Sequence, residues 1–218
     1  MLVFSLKIFM PTKSKRILKK QVTDLIKTGN LEFMVTEWII DRVPFAFSNE
    51  VQYLKWKHEV SKGLGIDPRC VCVTGSAAIG LSLNPDKGFK AFDSNSDIDI
   101  AAVSHPHFET AWHFLRSMGA ERYKLPPDEL EAIKKHKDHY VYLGTIACDL
   151  ILHLLPFGSK WVTTLKSLSY VAPAEGRDVN VRIYDSFESL RFYQLKTLKK
   201  LRNNILTPTE HAQVSRDE

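Results

Sequence analysis

The chain has little cysteine, no long apolar run and no internal repeat, and each shortage excludes something. Three cysteines among 218 residues cannot form a disulfide framework, and an odd count favours a reducing compartment. Cys70-Val71-Cys72 is one residue short of the usual CxxC metal spacing. On an extended segment both thiols face one way, so they read as small core residues. The opening run MLVFSLKIFM has ten residues and contains Lys7. That is far short of the roughly 20 apolar residues a spanning helix needs. PTKSKRILKK follows it in place of a small-residue cleavage site, so a cytoplasmic protein with no membrane partner is the default expectation. No period of 20–50 residues recurs, which argues against solenoids and propellers. Charge of one sign is also scarce. Thirty basic against 25 acidic residues leave a formal charge of +5, which favours an anionic partner without selecting one.

What is present is ordinary globular composition, 44% hydrophobic and 25% charged, enough to bury a core. Residues 1–44 read as a basic helical extension. Six basic residues lie between Lys7 and Lys20 without an acid among them, and Ile17, Leu18, Val22, Leu25 and Ile26 fall on one stripe of a helix over Lys15–Lys27. Gly29-Asn30 ends that helix and a second short one covers Leu31–Ile40. Residues 45–185 read as the core. Ser48 is placed to cap a helix running to about Lys62. Cys70–Thr74 is a short apolar strand, followed at once by Gly75-Ser76 and a helical turn. Asn84–Asn95 is a polar loop, mobile by composition. Ser96–Val103 alternates as a strand, and Pro106–Met118 reads as a helix. Tyr140–Leu155 fits either a strand interrupted at Gly144 or a helix and turn, Trp161–Leu168 reads as a helix, and Val179–Tyr184 alternates as a strand. Residues 186–218 form a basic C-terminal helix to about Ile205, ending in the tail TPTEHAQVSRDE, which reads as frayed. The fold class expected is α+β: a small mixed sheet with packed helices and helical extensions at both ends.

One constellation carries chemistry. A short strand ends in Gly75-Ser76, and the next strand opens with Asp97-Ile98-Asp99. Alternation puts both carboxylates on one face, where they repel unless something neutralises them. Magnesium is the simplest neutraliser, because it takes carboxylates together with substrate phosphates. Gly75 permits a tight turn and close backbone approach, and the Ser76 hydroxyl can meet a phosphate oxygen. Lys87 and Lys90, in the long loop, are candidate point charges over a bound triphosphate.

Gly75-Ser76-Ala77-Ala78-Ile79-Gly80 followed by Ser96-Asp97-Ile98-Asp99-Ile100 resembles the nucleotidyltransferase superfamily of the DNA polymerase beta type. The resemblance covers about residues 68–103. Asp97 lies 21 residues after Ser76, a longer gap than the superfamily's usual one, which the Asn84–Asn95 loop can absorb. The resemblance implies that Gly75 and Ser76 support a nucleoside triphosphate. It implies that Asp97, Asp99 and a third carboxylate hold two Mg²⁺ ions, with Mn²⁺ as a substitute. The reaction implied is attack of a hydroxyl on the α-phosphorus with pyrophosphate leaving, the hydroxyl belonging to an RNA end, a protein side chain, a metabolite or another nucleotide. Bacterial members of this size include toxin–antitoxin and defence proteins.

The third carboxylate is Asp149, inside Ala147-Cys148-Asp149-Leu150-Ile151, or Asp178 or Asp185 flanking the Val179–Tyr184 strand, or it is absent. That choice separates two functional expectations. One is an active transferase. The other is a degenerate module that binds nucleotide, nucleic acid or a partner subunit. A purely helical DNA-binding protein is a third option, opposed by the strands at Cys70–Thr74 and Ser96–Val103. The cluster Lys134-Lys135-His136-Lys137 with His139 reads as a solvated helix face or a nucleic-acid contact. His105 and His107 read as surface residues at a helix start, and Trp56, Trp112 and Trp161 as core or groove residues.

Overall fold

The computed structural model describes residues 15–84 and 87–207. The opening apolar run, the Lys7–Ser14 part of the basic patch and residues 208–218 of the tail lie outside the described residues. The elements in chain order are α1 (Lys15–Thr28), α2 (Leu31–Val35) continued by a π-helical stretch (Thr36–Asp41), and α3 (Glu50–Leu64). Next come β1 (Val71–Thr74), α4 (Gly75–Ile79), β2 (Ile98–Val103), α5 (His105–Ser117) and α6 (Pro127–Lys135), the last extended by a π-helical turn (His136–Tyr140). The chain closes with β3 (Thr145–Ala147), α7 (Gly158–Leu168), β4 (Val179–Tyr184) and α8 (Phe187–Leu206).

The four strands form one mixed sheet in the order β1-β2-β4-β3. β2 runs antiparallel to β1 and parallel to β4, and β3 is antiparallel to β4. The architecture is therefore α+β, a small mixed sheet with packed helices. Alternation divides the sheet into two faces. Val71, Val73, Ile98, Ile100, Ala102, Val181 and Ile183 point into the main core with residues of α3, α5 and α7. Trp161 of α7 is fully buried there, and its indole N–H donates to the Leu64 carbonyl at 3.0 Å, joining α7 to the end of α3. The opposite face carries Cys72, Ala101, Val103 and Tyr184 beneath Leu190 of α8. Toward one end of the strands this face is left open.

Helix ends follow local chemistry. α3 is capped by Asn49, not by the expected Ser48: the Asn49 side chain accepts from the Gln52 N–H at 2.9 Å. The Ser48 N–H donates instead to the Gln52 side chain at 2.8 Å. Gly65, at φ +71°, closes the same helix in the left-handed region. The stripe expected on α1 is buried at Leu18, Val22 and Ile26, against Leu198 and Leu201 of α8 and Ala78 and Ile79 of α4. Arg202 of α8 ties the same helices together by donating to the carbonyls of Ile26 and Gly29. The terminal helices therefore buttress the Gly-Ser turn from behind.

The Tyr140–Leu155 region resolves into neither reading alone. Gly144, at φ +61°, starts a three-residue strand, and the chain turns again at Cys148, whose carbonyl accepts from Ile151 and Leu152. No described helix is long and apolar enough to cross a membrane.

Candidate active site

The open end of the sheet is the floor of a cleft of about 1050 Å³. Its centre follows from strand register. Thr74 of β1 sits opposite Asp99 of β2, which sits opposite Asn180 of β4. Beyond β4, Asp149 lies two residues past the end of β3 and also lines the cleft. The next row toward the sheet interior is Ala101, Arg182 and Ala147.

Gly75 follows Thr74 directly and turns the chain into α4 at φ +65°, where side chains other than glycine are strained. A Cβ added there would lie 2.6 Å from Oδ2 of Asp99. The backbone and the carboxylate are therefore packed together, and no larger residue fits without displacing one of them. Ser76 lines the cleft from the same turn.

Asp99 is largely buried, and its pKa is raised above the ordinary 3.8. Burial is the largest cause, followed by the charges of Asp97 and Asp149. Hydrogen bonding from Asn180 and the positive charge of Arg182 pull partly the other way. Asp97 is exposed and precedes β2; it does not line the cleft but lies within electrostatic reach of Asp99. The entry to β2 is fixed by neighbours. Ser96 is buried and its hydroxyl donates to Asp93 at 3.1 Å. Arg177 donates to the Ser96 carbonyl at 2.8 Å and to the Asp93 carbonyl, while its guanidinium lies 4.5 Å from the Phe92 ring centre. The loop expected to be mobile is thus pinned near both ends: the Ser82 N–H donates to the Lys90 carbonyl at 2.8 Å, and Leu81 pairs with Ala91.

The two loop lysines separate. Lys87 lines the cleft, whereas Lys90 stands 4.0 Å from Asp93. The basic cluster after Pro127 is split in the same way. Lys134, Lys135 and His139 line the cleft, brought onto one wall by the π-helical turn. His136 is buried: its Nδ1 lies 2.6 Å from the Ala132 carbonyl, and its Nε2 accepts from the Ala147 N–H at 2.9 Å. It is a latch between α6 and β3, and burial holds its pKa below 6.5. His105 is exposed, 2.5 Å from Asp185, while His107 turns inward, its ring 5.0 Å from that of Trp161. Asp185 therefore lies away from the cleft, among the residues of a separate aromatic groove lined by Phe108, Trp112 and Phe192.

Arg182 was not among the expected site residues, and Lys196 and Lys200 were expected only as part of a basic segment, Lys196–Arg202, suited to a nucleic acid or nucleotide. Arg182 rises from the floor between Tyr140 and Tyr193, 5.0 Å and 4.8 Å from their ring centres. Lys196 and Lys200 reach the cleft from α8. The alternating polar face Asn180, Arg182, Tyr184 was a visible signal for the first. Lys196 and Lys200 were visible only as members of a basic helix.

Hard oxygen donors that repel one another in a partly buried site fit a divalent cation such as Mg²⁺. Among the described residues no three His, Cys, Asp or Glu side chains gather closely enough to enclose an ion. The three cysteines are free, with Cys72 and Cys148 buried. Compared with known proteins, the chain matches no family model, no curated protein and no solved structure.

Proposed function

We propose that this protein is a Mg²⁺-dependent nucleotidyltransferase with the nucleotidyltransferase fold. It transfers a nucleoside monophosphate from a nucleoside triphosphate to a hydroxyl acceptor, an RNA end, a protein side chain or a second nucleotide. The observation that carries this reading is the packing of the Gly75 backbone against the Asp99 carboxylate on the floor of a cleft shared with Ser76, Asp149 and Lys87. A glycine turn that lets the backbone approach closely, beside a largely buried carboxylate, suits a metal-bound phosphate. Charge supports it too: Lys87, Lys134, Lys135, Arg182, Lys196 and Lys200 face Asp99, Glu131, Asp138 and Asp149, leaving two positive charges in surplus for an anion.

In this mechanism Gly75 and Ser76 cradle the triphosphate, and Lys87 of the loop with Lys196 and Lys200 of α8 offset its charge. Asp99 and Asp149 are the cleft carboxylates that would hold Mg²⁺, with Asp97 outside the cleft adding negative charge near Asp99. When bound, the ion polarises the α-phosphoryl group and lowers the pKa of an oxygen it touches. The acceptor oxygen forms a bond to the α-phosphorus as the bond from that phosphorus to the bridging oxygen breaks. Pyrophosphate carries away the electron pair, and the hydroxyl proton passes to Asp99 and on to water.

The test is incubation with each α-labelled nucleoside triphosphate and Mg²⁺ or Mn²⁺, with cell RNA and cell protein as acceptors. Label should move to one acceptor class and be lost in Asp97→Ala/Asp99→Ala; transfer that survives the double substitution refutes the site. Asn180, standing beside Asp99 where an acid would complete a carboxylate trio, favours a second reading: a module that binds nucleotide, nucleic acid or a partner without transfer. Metal-dependent nucleotide binding with no transfer to any acceptor would select it.

A further inference from the structure

The carboxylate row of the cleft is backed by a fixed cation. Arg182 occupies the next row of the sheet, directly between Ala101 and Ala147. Two alanines leave room for a guanidinium that larger neighbours would exclude. Tyr140 and Tyr193 hold it from either side. Such a stacked, partly desolvated cation is costly to move. Its charge reaches the carboxylates of Asp99 and Asp149 only at a distance. Among the described residues Arg182 forms no ion pair, and its buried Nη1 has no hydrogen-bond partner. The position beside Asp99 on β4 is Asn180, a neutral amide unable to bridge two ions as a carboxylate does.

Resting on the transferase reading above, we propose that the cleft takes a single divalent cation with its nucleotide, and that Arg182 supplies the positive charge a second ion would bring. Asp99 and Asp149 hold the one ion, together with the triphosphate. Arg182, one row behind, stabilises the negative charge that gathers on the phosphoryl oxygens during transfer.

The experiment counts ions without relying on turnover. Mn²⁺ is titrated into the full chain, followed by electron paramagnetic resonance, with an equimolar set of the four nucleoside triphosphates made non-hydrolysable between the α- and β-phosphorus. One Mn²⁺ per chain, with no coupling between ions, is expected. Two coupled Mn²⁺ ions in the wild type would overturn the proposal while leaving the transferase reading in place. No nucleotide-dependent Mn²⁺ at all would overturn both. Arg182→Gln should weaken the nucleotide-dependent Mn²⁺ binding at least tenfold, and Arg182→Lys, which keeps the charge, should keep most of the affinity, with the count at one in both. A folded Arg182→Gln with wild-type count and affinity would remove Arg182 from the role. Should Arg182→Gln not fold, the wild-type count and Arg182→Lys still decide the stoichiometry.

Discussion

Replacing Gly75 by alanine probes the closest contact in the cleft, and the structure supplies its own control. Gly75 and Gly176 both lie in the left-handed region, at φ +65° and +71°. An added Cβ at Gly176 would meet nothing within 4 Å, whereas at Gly75 it would come within 2.6 Å of the Asp99 carboxylate. Both substitutions carry the backbone cost of about 1–2 kcal/mol for an L-residue held at positive φ. For a chain of this size that is a Tm loss of roughly 2–8 °C, at about 2–4 °C per kcal/mol. Only Gly75→Ala must also displace the carboxylate or the turn. Urea unfolding should therefore show Gly75→Ala losing more stability than Gly176→Ala. Mn²⁺-dependent nucleotide binding should be unchanged in the first and weakened at least tenfold in the second, a change of about 1.4 kcal/mol. Equal nucleotide affinity in the two variants, with equal stability loss, would refute the argument that the turn and Asp99 act as one unit.

Three further outcomes follow from the same structure. Asp99→Asn should raise Tm by a few degrees while abolishing transfer, because a buried carboxylate beside Asp97 and Asp149 destabilises the metal-free fold; a lower Tm would show that the carboxylate stabilises the fold. His136 is held neutral, its folded pKa below 6.5, so the unfolded chain takes up its proton first as pH falls. Stability is therefore full above pH 6.5 and declines below it, by up to about 1.4 kcal/mol per pH unit for one proton. Urea titrations between pH 7.5 and 5 should show a shallower decline in His136→Gln, and parallel profiles would exclude the latch as a titrating group. Trp161→Phe leaves the Leu64 carbonyl without its donor in a fully buried setting and should cost about 1–3 kcal/mol in urea unfolding. A loss below a few tenths would mean that the bond contributes nothing net.

Where periodicity was strict, the chain was legible. The strand expected over Val179–Tyr184 is β4 at the same bounds, and the last helix begins one residue after Ser186, whose side chain caps it. Both strands near the Gly-Ser turn were also visible as short apolar runs, but β2 begins only at Ile98, so Asp97 lies outside it and does not share the strand face expected with Asp99. β3 was not legible. Three residues between a left-handed glycine and a turn are too few to show a period, and pairing with β4 decides them. The π-helical turn after α6 was equally hidden, since the Lys134–His139 run reads as one basic face until a wider turn sends His136 inward and leaves His139 on the cleft wall. His107 was misread because the helix start was recognised while the aromatic neighbours that draw it in, Phe157 and Trp161, lie some fifty residues away in sequence.

The cleft and the aromatic groove differ in what they make the fold tolerate. The aromatic groove around Trp112 and Phe192 is lined by groups at ease in water or in apolar contact, and contains no buried carboxylate. The cleft gathers a partly buried acid with a raised pKa, a left-handed glycine pressed on that acid, and a stacked arginine with an unpartnered nitrogen, all within two rows of one sheet. Each is unfavourable alone, and on the proposed reading each would become favourable when an ion and a polyphosphate complete its contacts. These residues come from the start of α4, from β2 and from β4, so no single local defect explains them. Selection for folding alone would replace Asp99 with an asparagine and Arg182 with an apolar residue. Their joint presence at the sheet end is the physical reason to place the chemistry in the cleft and not in the aromatic groove.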